Sequence, residues 1–435
     1  MSGLIREDDL EQIKDRVNII DIISEQVMLK KAGRAYKGLC PFHQEKTPSF
    51  SVDTSKQLWH CFGCGEGGDV ISFVMKVDGL DFTEAVESLA RRVGYAVHYT
   101  KTKSNNLGIK QKIYEINAAA AGYFSKVLFS PMGRETRDYL KSRGFGREIA
   151  ETMWLGFAPD TWDGLKNYLL KKNFLEAEIL KAGLTSQGSN GKSFDRFRGR
   201  LIFPIKDIQG RVVAFGARSL NGDNPKYLNS PETPVYRKGS VLYGLNLAKT
   251  AISSQSAAII VEGYTDLLAL KMSGIDNAVA TCGTAFTLDH FKFISRFTDD
   301  IIFVFDGDAA GIAAAERGLE LVSQIRLPGD NTLKKLLNSY KIGVKVLVLP
   351  EELDPAEYVA KNGVENFRLL ITNAKQFTDF YLERIMIKYD INDDNQRQKA
   401  IAESLAFIKL LASAVAQEKY LKRIAEMADV SLETL

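Results

Sequence analysis

The sequence predicts a multidomain protein, α+β in its first part, α/β further on, and closed by a helical segment. Three observations carry that expectation. Two close Cys/His pairs sit in an aromatic, turn-rich stretch near the N-terminus; the texture turns to β from Arg198 to Leu245; and from Ala257 short β-branched runs alternate with helical ones. A chain of 435 residues also exceeds one ordinary core, so roughly two to four domains are expected.

The first element is "DDLEQIKDRVNIIDIISEQVML", helical by its apolar spacing and by the acids in its first turn. The Cys/His stretch that follows reads as short strands, and "GGDVISFVMKVDGLDFTEAVESLARRVGY" gives two amphipathic helices. These form a first domain over 1–100. The polar, aperiodic "TKTKSNNLGIK" places a linker at 101–110. Residues 111–255 begin with helices and turn to strands at "RLIFPI" and "VVAFGAR", around the turn "KDIQGR". The alternation "AAIIVEG", "NAVATCG", "DIIFVFDGD", "KVLVLP" reads as a parallel, Rossmann-like sheet over 256–355. Residues 356–435 are helical, with a break at "DINDDNQRQ".

Composition narrows the class. The chain is 45% hydrophobic and 26% charged, with no apolar run near the ~20 residues of a bilayer span. Its N-terminus carries acids where a signal peptide wants bases. A cytoplasmic protein with no membrane partner is expected, and a reducing compartment turns four cysteines toward metal or redox use.

Three of those cysteines and one histidine form Cys40-x-x-His43 and Cys61-x-x-Cys64, with seventeen residues between the pairs. Such turns close a tetrahedron of one nitrogen and three sulfurs with no vacant position, which fits one structural zinc. His60 competes as a ligand through its place beside Cys61, but the two-residue spacing favours His43. Phe42, Phe50, Trp59 and Phe62 alternate here with Lys30, Lys31, Arg34, Lys37 and Lys46. Aromatics among bases suit single-stranded nucleic acid; the alternative is that they fill a small core.

The second signal is acidic. Apolar strands run straight into Glu262, with Asp266 four residues on, and into Asp306 and Asp308. Open α/β sheets place ligand sites at the carboxyl ends of their strands. Carboxylates gathered there repel one another unless a hard cation, Mg2+ or Mn2+, neutralises them. Helix capping is the plain alternative; it accounts for Asp266 and Asp308 better than for Glu262. Between the two signals, residues 192–238 carry ten Lys/Arg against four Asp/Glu, a basic stretch suited to steering a polyanion.

Together these motifs resemble the bacterial replicative DNA primases (DnaG type), and the likeness runs over essentially the whole chain. "CPFHQEKTPSF" and "HCFGCGEGGD" are similar to that family's zinc ribbon. "RFRGRLIFPI", "FGARSL" and "PKYLNSPET" resemble its polymerase domain, and "VEGYTD", "GTAFT" and "DGDAAG" its Toprim segment. The resemblance implies a zinc-ribbon domain, a mixed basic subdomain, a Toprim subdomain and a helical subdomain. It implies a DNA-dependent RNA polymerase that makes short primers on single-stranded DNA by two-metal nucleotidyl transfer, acting as a monomer at the nucleoid. Its partners would be template, ribonucleoside triphosphates and the primer–template hybrid. Glu262, Asp306 and Asp308 would bind two or more Mg2+ or Mn2+ ions, with Asp266 and Asp354 in support. Arg143, Arg196, Arg198, Arg218, Lys226, Tyr227, Asn229 and Lys238 would handle nucleic acid and nucleotide, and Trp59 and Phe62 the template.

Three departures from the family stand out. "LDPAEY" keeps Asp354 but has Ala356 at the next acidic position, so either one metal position is weakened or Glu357 replaces it. "LPGDNTLKKLLNSYKIG", around 327–343, is additional. The chain stops where a helicase-binding domain is expected to begin, so that domain is read as absent and the replicative helicase has only family support as a partner. A Toprim nuclease or topoisomerase, or a non-catalytic single-strand-binding recombination mediator, are the rival readings. A topoisomerase needs a nucleophilic tyrosine, and a mediator does not need Glu262.

Overall fold

A computed structural model of the chain describes residues 5–33, 35–43, 45, 47–78, 80, 82–98, 104–188, 191–307, 343–409, 411 and 413–435. They form two compact units, Met1–Arg237 with Leu245–Ser254 and Lys238–Gly244 with Gln255–Leu435.

The first unit opens with helices α1 (Glu7–Arg16) and α2 (Ile19–Ser24), the latter started by Asn18, whose side chain accepts the Ile20 N–H. Five strands follow in plain sequence order: β1 (Lys30–Ala32), β2 (Ala35–Gly38), β3 (Phe50–Asp53), β4 (Leu58–Cys61) and β5 (Gly67–Gly68), all antiparallel. Their alternation is strict in β3 and β4. Phe50, Val52, Trp59 and Cys61 turn inward, whereas His60 is exposed. Helix α3 (Val70–Val77) packs on the inner face and α4 (Phe82–Arg92) packs against α3, and Asp69 caps α3 by accepting the Ser72 N–H. At the centre Phe50 stacks on Trp59 with ring centroids 5.3 Å apart, and Phe42 and Phe73 close the cluster.

Residues 104–110 lie in the expected linker, yet they begin the long helix α5 (Ser104–Leu128). The alanine-rich second half of α5 allows a close approach to a sheet, because small residues let backbones near one another. Helices α6 (Arg134–Ser142) and α7 (Arg147–Thr152) lead to β6 (Gly156–Ala158). Next come α8 (Gly164–Leu170), α9 (Glu176–Lys181) and the small ribbon β7 (Thr185–Gln187) and β8 (Ser193–Asp195). The basic middle then supplies β9 (Arg200–Lys206), β10 (Val212–Ser219) and β11 (Tyr227–Asn229). With β6 they make an antiparallel sheet in the order β11-β10-β9-β6. Ile116, Phe124, Ile202, Phe215 and Ala217 are buried in its core. Helix α10 (Leu245–Gln255) follows.

The second unit has the expected parallel sheet. Strands β12 (Ala258–Val261), β13 (Ala278–Ala280), β14 (Asp300–Phe305) and β15 (Gly343–Val348) pair in parallel, in the spatial order β13-β12-β14-β15. Among the described residues, helices α11 (Tyr264–Met272) and α12 (Leu288–Ile294) serve as crossovers. One short strand joins this sheet from beyond the parallel run. After α13 (Pro355–Asn362) and α14 (Val364–Thr372), β16 (Lys375–Gln376) adds an antiparallel edge to β15. A separate helical core begins only with α15 (Phe377–Lys388), α16 (Asp394–Ile408) and α17 (Ala414–Ala428), around Leu382, Ile385, Phe407, Ile408 and Ile424. Asp308 and the additional stretch up to residue 342 lie outside the described residues.

Candidate active site and metal centre

The two Cys/His turns come together at one end of the N-terminal sheet. Cys40 follows β2, Cys61 ends β4, and the four candidate ligand atoms lie within 4.8 Å of one another. Cys40 Sγ is 3.9 Å from Cys64 Sγ, and Cys61 Sγ is 3.7 Å from His43 Nδ1. A tetrahedron with metal–sulfur bonds of ~2.3 Å has edges of about 3.8 Å, close to the two ligand separations above, so the donor set fits zinc. His60 points to the other face of β4 and is exposed, which resolves the competition in favour of His43. Burial raises the Cys40 thiol. Burial opposes the Cys61 anion too, but hydrogen bonding to it, the Cys64 and Gly63 N–H groups included, outweighs that and brings the thiol down to about 7. Among the described residues this is the one group of three or more His, Cys, Asp or Glu drawn tightly enough for an ion.

The sheet's outer face is basic. Lys30 pairs with Lys37, Lys37 with Ser51, Ser51 with His60 and His60 with Gly67, one row across all five strands. Phe62 is 74% exposed beside it, its ring 4.7 Å from that of His60. Trp59 belongs to the opposite face. It is 2% exposed and its indole N–H donates to the Asp69 carbonyl, so the expectation that it contacts template is corrected. Its place two residues from the inward ligand Cys61 already fixes that parity.

The basic residues of the polymerase sheet divide by environment. Arg218 on β10 sits opposite Tyr227 on β11, and its guanidinium lies 5.1 Å from the Tyr139 ring and 5.6 Å from that of Tyr227. Arg143 is exposed one turn after Tyr139, and Lys226 is exposed just before β11. Arg198 stacks 4.2 Å from the Trp162 ring and donates to the Asp195 carbonyl at 2.7 Å. Arg196 is half-buried, and its Nε and Nη2 donate to the Asn229 carbonyl at 3.3 and 3.0 Å. It ties β11 to the loop before β9. Trp162 escapes sequence reading because it falls in no basic run, and Tyr139 because a lone ring among helical charges carries no signal of its own.

Lys238 lies in the second unit, in a short helical turn. The His290 Nε2–H donates to its carbonyl at 3.0 Å and the Thr287 hydroxyl donates to that of Gly239. Burial keeps His290 neutral, and its Nδ1 accepts the Thr287 N–H at 3.2 Å.

The carboxylates gather where the parallel sheet ends. Glu262 directly follows β12 and Asp306 directly follows β14, and these strands are neighbours. Asp266, in the first turn of α11, is 6% exposed and accepts the Gly263 N–H at 3.1 Å. Burial, then the charges of Asp354, Asp306 and Glu262, push its carboxyl up to about 8. Asp266 therefore feels three other acids at this sheet edge.

Gly307 lets the turn after β15 close onto this edge: a Cβ there would meet the Leu349 carbonyl oxygen at 2.4 Å. Its N–H donates to Leu353, which places Asp354 beside the Asp306 turn. Asp354 itself caps α13, accepting the Glu357 N–H at 2.7 Å. Glu357 completes the reciprocal cap through the Asp354 N–H at 3.5 Å.

Comparison with known proteins follows the same order along the chain. The CHC2 zinc finger matches residues 5–105, the N-terminal domain of the DNA primase catalytic core 123–249, and the Toprim domain 256–349. The DNA primase of Halalkalibacterium halodurans is 39% identical over 442 residues, covering 100% of this chain and 71% of its own length. The chain belongs to the bacterial DNA primase family. The crystal structure of the Aquifex aeolicus primase, with its zinc-binding and RNA polymerase domains, matches at a TM-score of 0.61 and 32% identity, over 100% of this chain and 98% of that one. A DnaG primase catalytic domain bound to single-stranded DNA matches at 0.63 and 31%, over 74% of this chain and 99% of that one.

As a primase, the chain is an RNA-polymerising nucleotidyltransferase with a zinc ribbon and a Toprim domain. The match to the primase's own core domain sets aside the nuclease, topoisomerase and mediator readings. One expectation is overturned. Residues 378–433 match the DnaB-helicase binding domain of primase, so that domain is present, not absent. It is α15 to α17, whose helical pattern gives no sign of what they dock against. No helix among the described residues is long and apolar enough to cross a membrane.

Proposed function

We propose that the chain joins ribonucleoside triphosphates on single-stranded DNA, with Glu262, Asp306 and Asp308 as ligands for Mg2+ or Mn2+. One observation carries this reading: Glu262 and Asp306 leave adjacent parallel strands at the same edge, and Asp266 feels both charges. These carboxylates would hold two or more such cations, which would supply positive charge at the primer 3′-hydroxyl and the departing pyrophosphate. The chain's own residues build the platform. Asp266 holds the Gly263 N–H and thereby the turn that presents Glu262. Asp354 fixes the start of α13 beside the Asp306 turn.

Arg143, Arg198, Arg218, Lys226 and Lys238 supply cations for template, primer and nucleotide phosphates, and Tyr227 and Asn229 the neighbouring polar contacts. Arg196 acts on β11 instead. Lys30, Lys37, His60 and Phe62 offer template a basic face with one stacking ring. The single-stranded DNA on the related catalytic domain supports this substrate, and the match at 378–433 supports the replicative helicase as the partner of α15 to α17. Such an enzyme works as a monomer at the nucleoid.

The test is primer synthesis on a single-stranded template with labelled ribonucleotides and magnesium. Glu262→Gln is expected to lose synthesis by about 100-fold or more while still binding template. Full synthesis by that variant, or loss of template binding in parallel, overturns the reading.

A further inference from the structure

Glu45 lies between the two ligand pairs, and its carboxylate contacts two of the four ligand residues, Cys40 and His43. One oxygen, Oε1, accepts the Cys40 N–H at 2.7 Å and the Ser49 N–H at 3.1 Å. The other, Oε2, accepts the Ser49 hydroxyl and stands 3.3 Å from His43 Nε2. Ser49 Oγ is also 3.1 Å from Cys61 Sγ. The side chain is 10% exposed, so water does not compete freely for these contacts.

The imidazole is constrained on three sides. Its Nδ1 faces Cys61 Sγ at 3.7 Å and its Nε2 faces Glu45. Gly63 closes the third side: a Cβ there would be 2.6 Å from Nε2, 2.7 Å from Cε1 and 2.8 Å from Ser49 Oγ. A neutral imidazole carries one N–H, and the nitrogen without it donates the lone pair to a metal. A carboxylate at Nε2 favours the proton there and leaves the Nδ1 lone pair for the ion. The opposite tautomer would set a lone pair against the carboxylate and an N–H against the metal.

We propose that Glu45 is the positioning residue of the zinc centre. It holds His43 as the Nε2–H tautomer, so that Nδ1 is the ligating nitrogen, and pins the backbone at Cys40 and Ser49 in the same geometry. Carboxylates behind a metal-bound histidine fix its tautomer and raise its basicity. Here the same carboxylate also accepts the backbone N–H groups of Cys40 and Ser49. Glu45→Gln keeps the size of the group but turns an amide toward the Nε2–H and the Ser49 hydroxyl.

The test uses the full chain loaded with zinc and titrated with the chromogenic chelator 4-(2-pyridylazo)resorcinol. Glu45→Gln is expected to weaken zinc binding about 10- to 100-fold. In a His43→Cys background, where no second nitrogen needs holding, the same change is expected to cost clearly less. Long-range 15N–1H correlation on histidine-labelled wild-type protein should find His43 protonated at Nε2 and metal-bound at Nδ1. That readout needs no variant to fold. Zinc affinity of Glu45→Gln within twofold of wild type, an equal cost in the His43→Cys background, or zinc on Nε2 would each overturn the proposal.

Discussion

Glu262 and Asp306 reach the same edge of the parallel sheet one residue out of step: Ile260 pairs with Phe303, so Glu262 stands level with Phe305 and Asp306 follows. Asp266 sits buried where both charges act on it. Like charges so placed destabilise the metal-free fold, and the same repulsion draws in a cation.

Asp306→Asn is therefore expected to raise the melting temperature of magnesium-free protein while removing the stabilisation that magnesium gives wild type. Synthesis should fall by about 100-fold or more. Scanning calorimetry with and without magnesium, beside primer synthesis, checks both halves. A lower metal-free melting temperature would contradict the charge argument.

The same cluster sets a pH dependence. The folded Asp266 carboxyl is pushed up to about 8, above its unfolded value near 4, so the folded state binds the extra proton across that interval. Stability without magnesium should be full below pH ~4 and fall as pH rises toward ~8, because deprotonation then favours the unfolded chain. Saturating magnesium stabilises the anion and should flatten the slope. The check is melting temperature from pH 5 to 8 at fixed zinc, and a rising curve without magnesium would refute it.

Asp354 is expected to matter less to chemistry than Asp306. Its carboxylate is committed to the Glu357 N–H at the start of α13, and removing such a cap costs about 1 kcal/mol. Asp354→Ala should melt lower and retain more synthesis than Asp306→Ala. Equal losses of activity would make Asp354 a direct participant.

How much of this was legible depends on which physical signal each residue carries. The Cys40/His43 and Cys61/Cys64 pairs were, because a two-residue spacer in a turn aims both side chains at one point. The parallel sheet was, because runs such as "AAIIV" and "DIIFVF" suit strands buried on both faces. Trp59 was misassigned because composition does not distinguish the faces of a strand; parity with Cys61 does. The edge strand Lys375–Gln376 is two residues long and carries no periodicity. The three C-terminal helices were recognised as helices, but an amphipathic stripe is the same whether it faces a polymerase domain or a neighbouring helix. Glu45 was passed over because an acid among bases and aromatics looks like surface until its hydrogen bonds are seen.

Trp59 and Phe62 are three residues apart and should separate cleanly. Trp59→Ala removes the centre of the N-terminal core and is expected to cost about 3–5 kcal/mol, unfolding the zinc module. Phe62→Ala leaves that core intact and should weaken single-stranded DNA binding by about 1–3 kcal/mol, the range for one base–aromatic stack. Melting curves and fluorescence anisotropy with labelled oligonucleotide distinguish them. Phe62→Ala binding DNA as wild type does would remove the outer sheet face from the template path.

Lys226 and Arg196 give the corresponding contrast on the polymerase sheet. Lys226 is exposed beside β11, so its part is charge alone. Lys226→Ala should weaken binding to every template sequence alike and reduce the slope of log affinity against log salt by about 0.7, the release of one counterion from a single strand. Arg196 donates its fork to the Asn229 carbonyl, and burial disfavours its charge. Arg196→Lys keeps the charge but not the two-nitrogen geometry, so it should loosen β11 and lower the melting temperature with the salt slope unchanged. A salt slope that falls with Arg196→Lys would make Arg196 a phosphate contact, and the division of labour along β11 would have to be redrawn.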